Sequence, residues 1–133
     1  MIPRYRAWMK SLKWMCDVTN ISFDSKFVDI CQQGDTERYT EMSVEFDEIT
    51  LMQSTGLFDK NGKEIFEGDV VRQVRTQPTT ENEVIIGVVT MLEGAWLIMN
   101  DCEKLASDLW SETDENEIIG NIYENKDILE DKE

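Results

Sequence analysis

Leu57-Phe58-Asp59-Lys60-Asn61-Gly62-Lys63-Glu64-Ile65-Phe66 is the stretch on which the fold turns. An Asn-Gly pair between short strand-like flanks favours a two-residue turn with both φ angles positive, so the segment reads as a β-hairpin. Downstream, Glu67-Gly68-Asp69 breaks the chain again before Val70-Val71-Arg72-Gln73-Val74, and Gly68 is expected where only a residue without Cβ is comfortable. After a polar loop, Arg75 to Glu83, come Val84 to Met91 and Ala95 to Met99, joined through Leu92-Glu93-Gly94 as a second hairpin. Both parities of Val84-Ile85-Ile86-Gly87-Val88-Val89 are apolar, and a strand of that kind requires cover on both faces.

Upstream of the first hairpin the same character persists. Arg4 to Trp8, Trp14 to Phe23 and Lys26 to Cys31 are short runs rich in aromatic and β-branched residues, separated by polar steps such as Asp24-Ser25. Thr40 to Met52 alternates Met42, Val44, Phe46, breaks at Asp47-Glu48, and resumes with Ile49 and Leu51 on the opposite parity, which points to a bulge or a bend. One segment has helical spacing: Cys102, Leu105, Ala106, Leu109 and Trp110 recur at i, i+3, i+4, i+7, i+8 behind a cap at Asn100 or Asp101. Ile118 to Tyr123 reads as a last strand, followed by a capped turn over 125–131 that frays after about residue 126.

The whole chain has 133 residues, 41% of them apolar and 31% charged, which is enough for one core-burying domain spanning 1–133. It carries 13 Lys and Arg against 28 Asp and Glu, a net charge of −15, and the acids concentrate in residues 101–133. Histidine is absent altogether, so Ser-His-Asp or Cys-His catalysis, His-ligated metals and a neutral-pH imidazole switch are excluded. Cys16, Cys31 and Cys102 are scattered, with no C-x-x-C pair, and read as reduced cytosolic thiols packing as small apolar residues; a Cys16–Cys31 disulfide stays open as the alternative. The basic start, Met1 to Arg6, is not followed by the apolar block of a signal peptide, and the longest apolar run, Ala95 to Met99, falls far short of the ~20 residues of a membrane span. A cytoplasmic location, with no membrane partner, is the expectation.

Three blocks taken together resemble the YopX-like family of phage and prophage proteins: Pro3-Arg4-Tyr5-Arg6-Ala7-Trp8; Met52-Gln53-Ser54-Thr55-Gly56-Leu57 with Asp59 to Ile65 and Glu67 to Val71; and Ile118-Ile119-Gly120-Asn121-Ile122-Tyr123-Glu124-Asn125. The resemblance implies a mainly β protein of several packed sheets that mixes β-sandwich and β-prism features, with at most one or two short helices. It carries no catalytic residues to map. Met9 and Ser11 depart from the charged residues expected after the first Trp.

Asp59-Lys60-Asn61-Gly62 superficially suggests a calcium loop, but counting from Asp59 the sixth and twelfth places hold Glu64 and Val70 rather than glycine and a carboxylate, so a turn explains it better. The carboxylates from Asp101 to Glu117, with pairs such as Asp114 and Glu115, have the chemistry to collect divalent ions or move protons, yet nothing in the sequence buries them, and a solvated acidic surface is favoured. Arg4, Arg6, Lys10 and Lys13 interleaved with Tyr5, Trp8 and Trp14 have the make-up of a small nucleic-acid platform, which a net charge of −15 opposes. No catalytic, cofactor-binding or metal-binding residue is therefore assigned, and no cofactor is expected. The favoured role is binding or assembly through homo-oligomerisation, with an unknown host or phage protein as a further partner. Two alternatives stand beside it: a carboxylate-based, metal-assisted enzyme, and an acidic DNA mimic that occupies a host protein's cationic groove.

Overall fold

A computed structural model describes residues 4–37, 39–75, 84–100, 105–110 and 114–125. Within them the protein is mainly β, with β1 (Tyr5–Met9), β2 (Trp14–Ser22), β3 (Phe27–Gln32), β4 (Met42–Glu45), a 3-10 turn (Phe46–Glu48), β5 (Ile49–Phe58), β6 (Glu64–Phe66), β7 (Asp69–Arg75), β8 (Val84–Leu92), β9 (Ala95–Asn100), β10 (Leu105–Asp108) and β11 (Asp114–Asn121). The strands make two antiparallel sheets, ordered β4-β3-β2-β1-β5-β6 and β10-β9-β8-β7-β11. They fall into two compact units, residues 1–54 and 55–133, and β5 runs from the first into the second.

In the first unit, β1 lies between β2 and β5, with Ala7 opposite both Cys16 and Leu51. Alternation then sends one parity of each strand to a core of Ala7, Met9, Cys16, Val28, Ile30, Val44 and Ile49, against which Trp14, Val18, Ile21 and Leu51 pack. Full burial of side chains such as Val28 and Ile30 stabilises by about 1.5–3 kcal/mol each, which is what holds β3 in place. The opposite parity is buried too, at Arg6, Met15, Cys31 and Met52, so these strands hide side chains on both faces.

The core of the second unit is Ile65, Val71, Val89, Ile98 and Leu109, with Leu57, Trp96 and Ile118 packed on it. Gly68 is buried with φ +91°, as expected of a residue chosen for lacking Cβ, and its N–H donates to the Val89 carbonyl at 3.0 Å. In β8 the inward parity is buried at Gly87 and Val89, whereas Ile86 and Val88 on the other parity are half-buried and Val84 is 49% exposed. Complete cover of both faces is thus not found among the described residues.

Four local readings are corrected. Leu105–Asp108 is strand, not helix: exposure alternates from Ala106 to Trp110, with Ser107 and Leu109 buried and Trp110 60% exposed. The chain pairs as β10 with β9, from Leu105 opposite Asn100 to Asp108 opposite Leu97, and ladder bonds to β9 override the short apolar periodicity. Cys102 and the C-terminal turn after 125 lie outside the described residues.

The parity change between Phe46 and Ile49 is a passage between two strands rather than a bulge: β4 pairs with β3, the 3-10 turn intervenes, and β5 pairs with β1. Register shifts occur instead beside Thr19 in β2 and Ile119 in β11. The last strand starts at Asp114, four residues earlier than its apolar half indicates.

The hairpin at Asn61-Gly62 exists, but its turn differs. Only Gly62 has positive φ, +84°, and the Gly62 N–H closes a turn onto the Asp59 carbonyl at 2.9 Å before the Asp59 N–H meets the Lys63 carbonyl at 2.8 Å. The Asp59 side chain dictates this by accepting from backbone groups of its own loop, an Asx-type turn. The two-residue turn with both φ positive is at Glu93-Gly94, +52° and +83°, between the paired Leu92 and Ala95.

Candidate functional site

The basic and aromatic residues near the start are divided between the two faces of β1. Tyr5 shares the Ala7 and Met9 side of β1, while Arg6 and Trp8 take the other. Arg6 is only 5% exposed, Trp14 packs on the first core, and the Lys10 ammonium donates to the Asp47 carbonyl at 3.3 Å. Arg4 and Lys13 are exposed.

Cys16 and Cys31 are buried thiols outside any disulfide. Cys16 stands opposite Gln32 and Cys31 opposite Asp17, so the register sends the two thiols to opposite faces of the sheet. Burial, with Cys31 and Asp17 adding to it, pushes the Cys16 thiol up to about 11, so little thiolate is present at neutral pH.

Asp59 is a structural carboxylate rather than a cation ligand. Its Oδ1 accepts from the N–H groups of Asn61 and Lys63, both at 2.9 Å, and its Oδ2 from the N–H of Ile118 at 3.0 Å. Burial alone would raise its pKa, but the three backbone bonds and the nearby Lys63 charge outweigh that and hold it below the ordinary carboxylate value.

The acid-rich segment is only partly within view: Asp101, Glu103 and Glu112 lie outside the described residues. Asp114 and Glu115 are consecutive in β11, and Glu115 is exposed. Glu117 lies 3.9 Å from the Lys60 ammonium and 4.0 Å from the Arg72 guanidinium. Among the described residues, the acids that gather in a group of three or more with carboxylate oxygens within 4.8 Å of one another are Glu45, Asp47 and Glu48, all exposed. Here Glu48 has a local task, since its Oε2 accepts from the Glu45 N–H in a capping box of the 3-10 turn. We expect calcium or magnesium to leave the melting temperature unchanged; a metal-dependent rise that Glu45→Gln with Glu48→Gln abolishes would instead make the cluster a site.

Two features escaped the sequence reading. The first is a buried amide centre: Gln73 is fully buried on the core face of β7, its Nε2 donating to the Asp108 carbonyl and to Asn116 Oδ1 at 3.0 Å, its Oε1 accepting from the Ser107 hydroxyl at 2.8 Å. Asn116 in turn donates to the Leu109 carbonyl at 2.8 Å. This ties β7 to both edge strands, β10 and β11, and a glutamine among valines was its only signal. The second is the outer face of the same sheet. Opposed pairs place Val74, Val84, Ile86, Val88, Leu97 and Met99 together, with Asp108 at one edge, Glu115 and Glu117 at the other, and Arg72 between Ile86 and Glu117. An apolar band edged by carboxylates, with one guanidinium beside them, is the anatomy of a contact surface.

The family model described as YopX protein matches residues 4–130. The chain belongs to the YopX family. A crystal structure of protein EF1440 from Enterococcus faecalis is similar at 28% identity and TM-score 0.57, covering 97% of this chain and 99% of that one. That of protein yopX from Bacillus subtilis is similar at 18% identity and TM-score 0.58, covering 95% and 97%, and supports the YopX fold alone. No curated protein matches. Among the described residues of this YopX-family chain, no helix is long and apolar enough to cross a membrane.

Proposed function

We propose that this YopX-family protein is a non-catalytic binding or assembly protein, phage- or prophage-encoded and acting in the host cytoplasm as one domain, which self-associates through the outer face of β8 and β9. The observation that carries this reading is the half-exposed apolar band of Val84, Ile86, Val88, Leu97 and Met99 on the side of the sheet away from its core. Successive strand residues point to opposite sides, so apolar residues on both parities serve two separate buried surfaces. A second copy supplies the same chemistry to cover the band, whereas the acidic rim and the net charge of −15 oppose association until salt screens them.

Ile86→Lys with Leu97→Lys should give a folded monomer whose strand spectrum matches the parent. A multimer of unchanged size in that double variant would mean that this face is not the interface.

A further inference from the structure

β11 ends its sheet, so one of its edges pairs with β7 and the other has no neighbouring strand among the described residues. That outer edge is nevertheless occupied. The Lys60 N–H donates to the Asn116 carbonyl at 2.9 Å, and two residues along, the Ile118 N–H donates to Asp59 Oδ2 at 3.0 Å. Two residues is the spacing at which a strand's backbone groups point outward, and here a carboxylate oxygen stands where a paired strand would offer its carbonyl. The other oxygen of the same carboxylate shapes the loop, accepting from Asn61 and Lys63. One side chain therefore both folds the loop and fastens it.

We propose that the loop from Asp59 to Lys63 is a latch, held by the Asp59 carboxylate over the outer edge of β11, which opens as a local unit and bares that edge. The tip has little else to hold it: Lys60, Asn61, Gly62 and Lys63 are exposed, and a Cβ built on Gly62 meets nothing within 4 Å. Opening breaks a few backbone hydrogen bonds and leaves the core of Val71, Val89 and Ile98 in place. An uncovered edge presents unpaired N–H and C=O groups that template another strand, which is why folds guard such edges.

The charged groups on the elements around Asp59 are Lys60 and Lys63 in the loop, Glu64 on β6, Asp114, Glu115 and Glu117 on β11, and Asp69, Arg72 and Arg75 on β7. The folded carboxylate titrates below its ordinary value, so the latch is at full strength above the unfolded value of 3.8 and weakens as pH falls through the lower folded one. The latch needs no second copy and stands apart from self-association.

Residue-resolved amide hydrogen exchange on the full chain tests it, comparing the parent with Asp59→Asn and Lys60→Ala. Asparagine puts an N–H2 donor where one acceptor oxygen stood. In Asp59→Asn the protection of the Asn61, Lys63 and Ile118 amides should fall roughly tenfold or more, while Val71 and Val89 keep theirs. Lys60→Ala removes only the ion pair with Glu117 and should leave all five amides as in the parent. In the parent, acidification below the ordinary carboxylate value of 3.8, through the lower folded one, should release Ile118 ahead of Val89, a comparison that holds even if Asp59→Asn fails to fold. Protection unchanged in Asp59→Asn, lost equally in Lys60→Ala, or lost together with Val71 and Val89 would overturn the latch.

Discussion

Gly87→Ala is expected to destabilise the protein by ~3 kcal/mol, an unusually large effect for adding one methyl group. A Cβ at this position in β8 would lie 2.6 Å from the Met99 carbonyl oxygen, 2.7 Å from its carbon and 2.8 Å from the Ile98 Cγ2. Backbone atoms of β9 cannot rotate away, so the two strands must separate and the ladder from Val88–Met99 to Leu92–Ala95 is strained along with them. Glycine inside a strand commonly marks such close approach. Gly94→Ala is the contrast: its φ is +83° and a Cβ meets nothing within 4 Å, so only the backbone penalty of ~1 kcal/mol applies. Denaturant unfolding of both variants checks this, and equal losses would show that Gly87 is not sterically required.

Gln73→Leu should cost about 2–4 kcal/mol although leucine is apolar and close in size. The lost carboxamide leaves the Asp108 carbonyl and Asn116 Oδ1 short of a donor and the Ser107 hydroxyl without its 2.8 Å acceptor. Buried polar groups left unmatched carry their desolvation penalty in full. Ser107→Ala should cost less alone, and in the double variant the losses should fall short of additive, because the pair is one interaction. Full additivity in denaturant unfolding would mean that Gln73 and Ser107 act independently.

The same amide centre explains why part of the fold was hard to read. Strands β1, β2, β3, β7, β8 and β9 announce themselves through β-branched and aromatic residues, because each has at least one face against a core. In β10 the inward residues are Ser107 and, just beyond it, Leu109; the polar Ser107 breaks the visible alternation, and Leu105, Ala106, Leu109 and Trp110 then mimic a helical stripe. β11 hides likewise, since Asn116 turns toward Gln73 while Glu115 and Glu117 share the solvent-facing side with Val74 and Arg72. Polar residues on both parities look like loop, although one parity is occupied by hydrogen bonds.

Turn chemistry was legible in kind but not in detail. The Asn61-Gly62 dipeptide located a hairpin correctly, yet Asp59, two residues earlier, decided its geometry by capturing the Asn61 and Lys63 N–H groups. Of the candidate site, the apolar residues of β8 on both parities were visible in the sequence. The acidic rim of Asp108, Glu115 and Glu117 depends on register, which residue types alone do not specify.

Light scattering on the parent protein at tens of micromolar, across a salt series, tests the proposed assembly most directly. The account predicts a defined multimer that is at least as stable at high salt as at low, because the buried area is apolar and its rim is acidic. A clean monomer whose mass does not change with salt would contradict it and leave the outer face of β8 and β9 to a different partner.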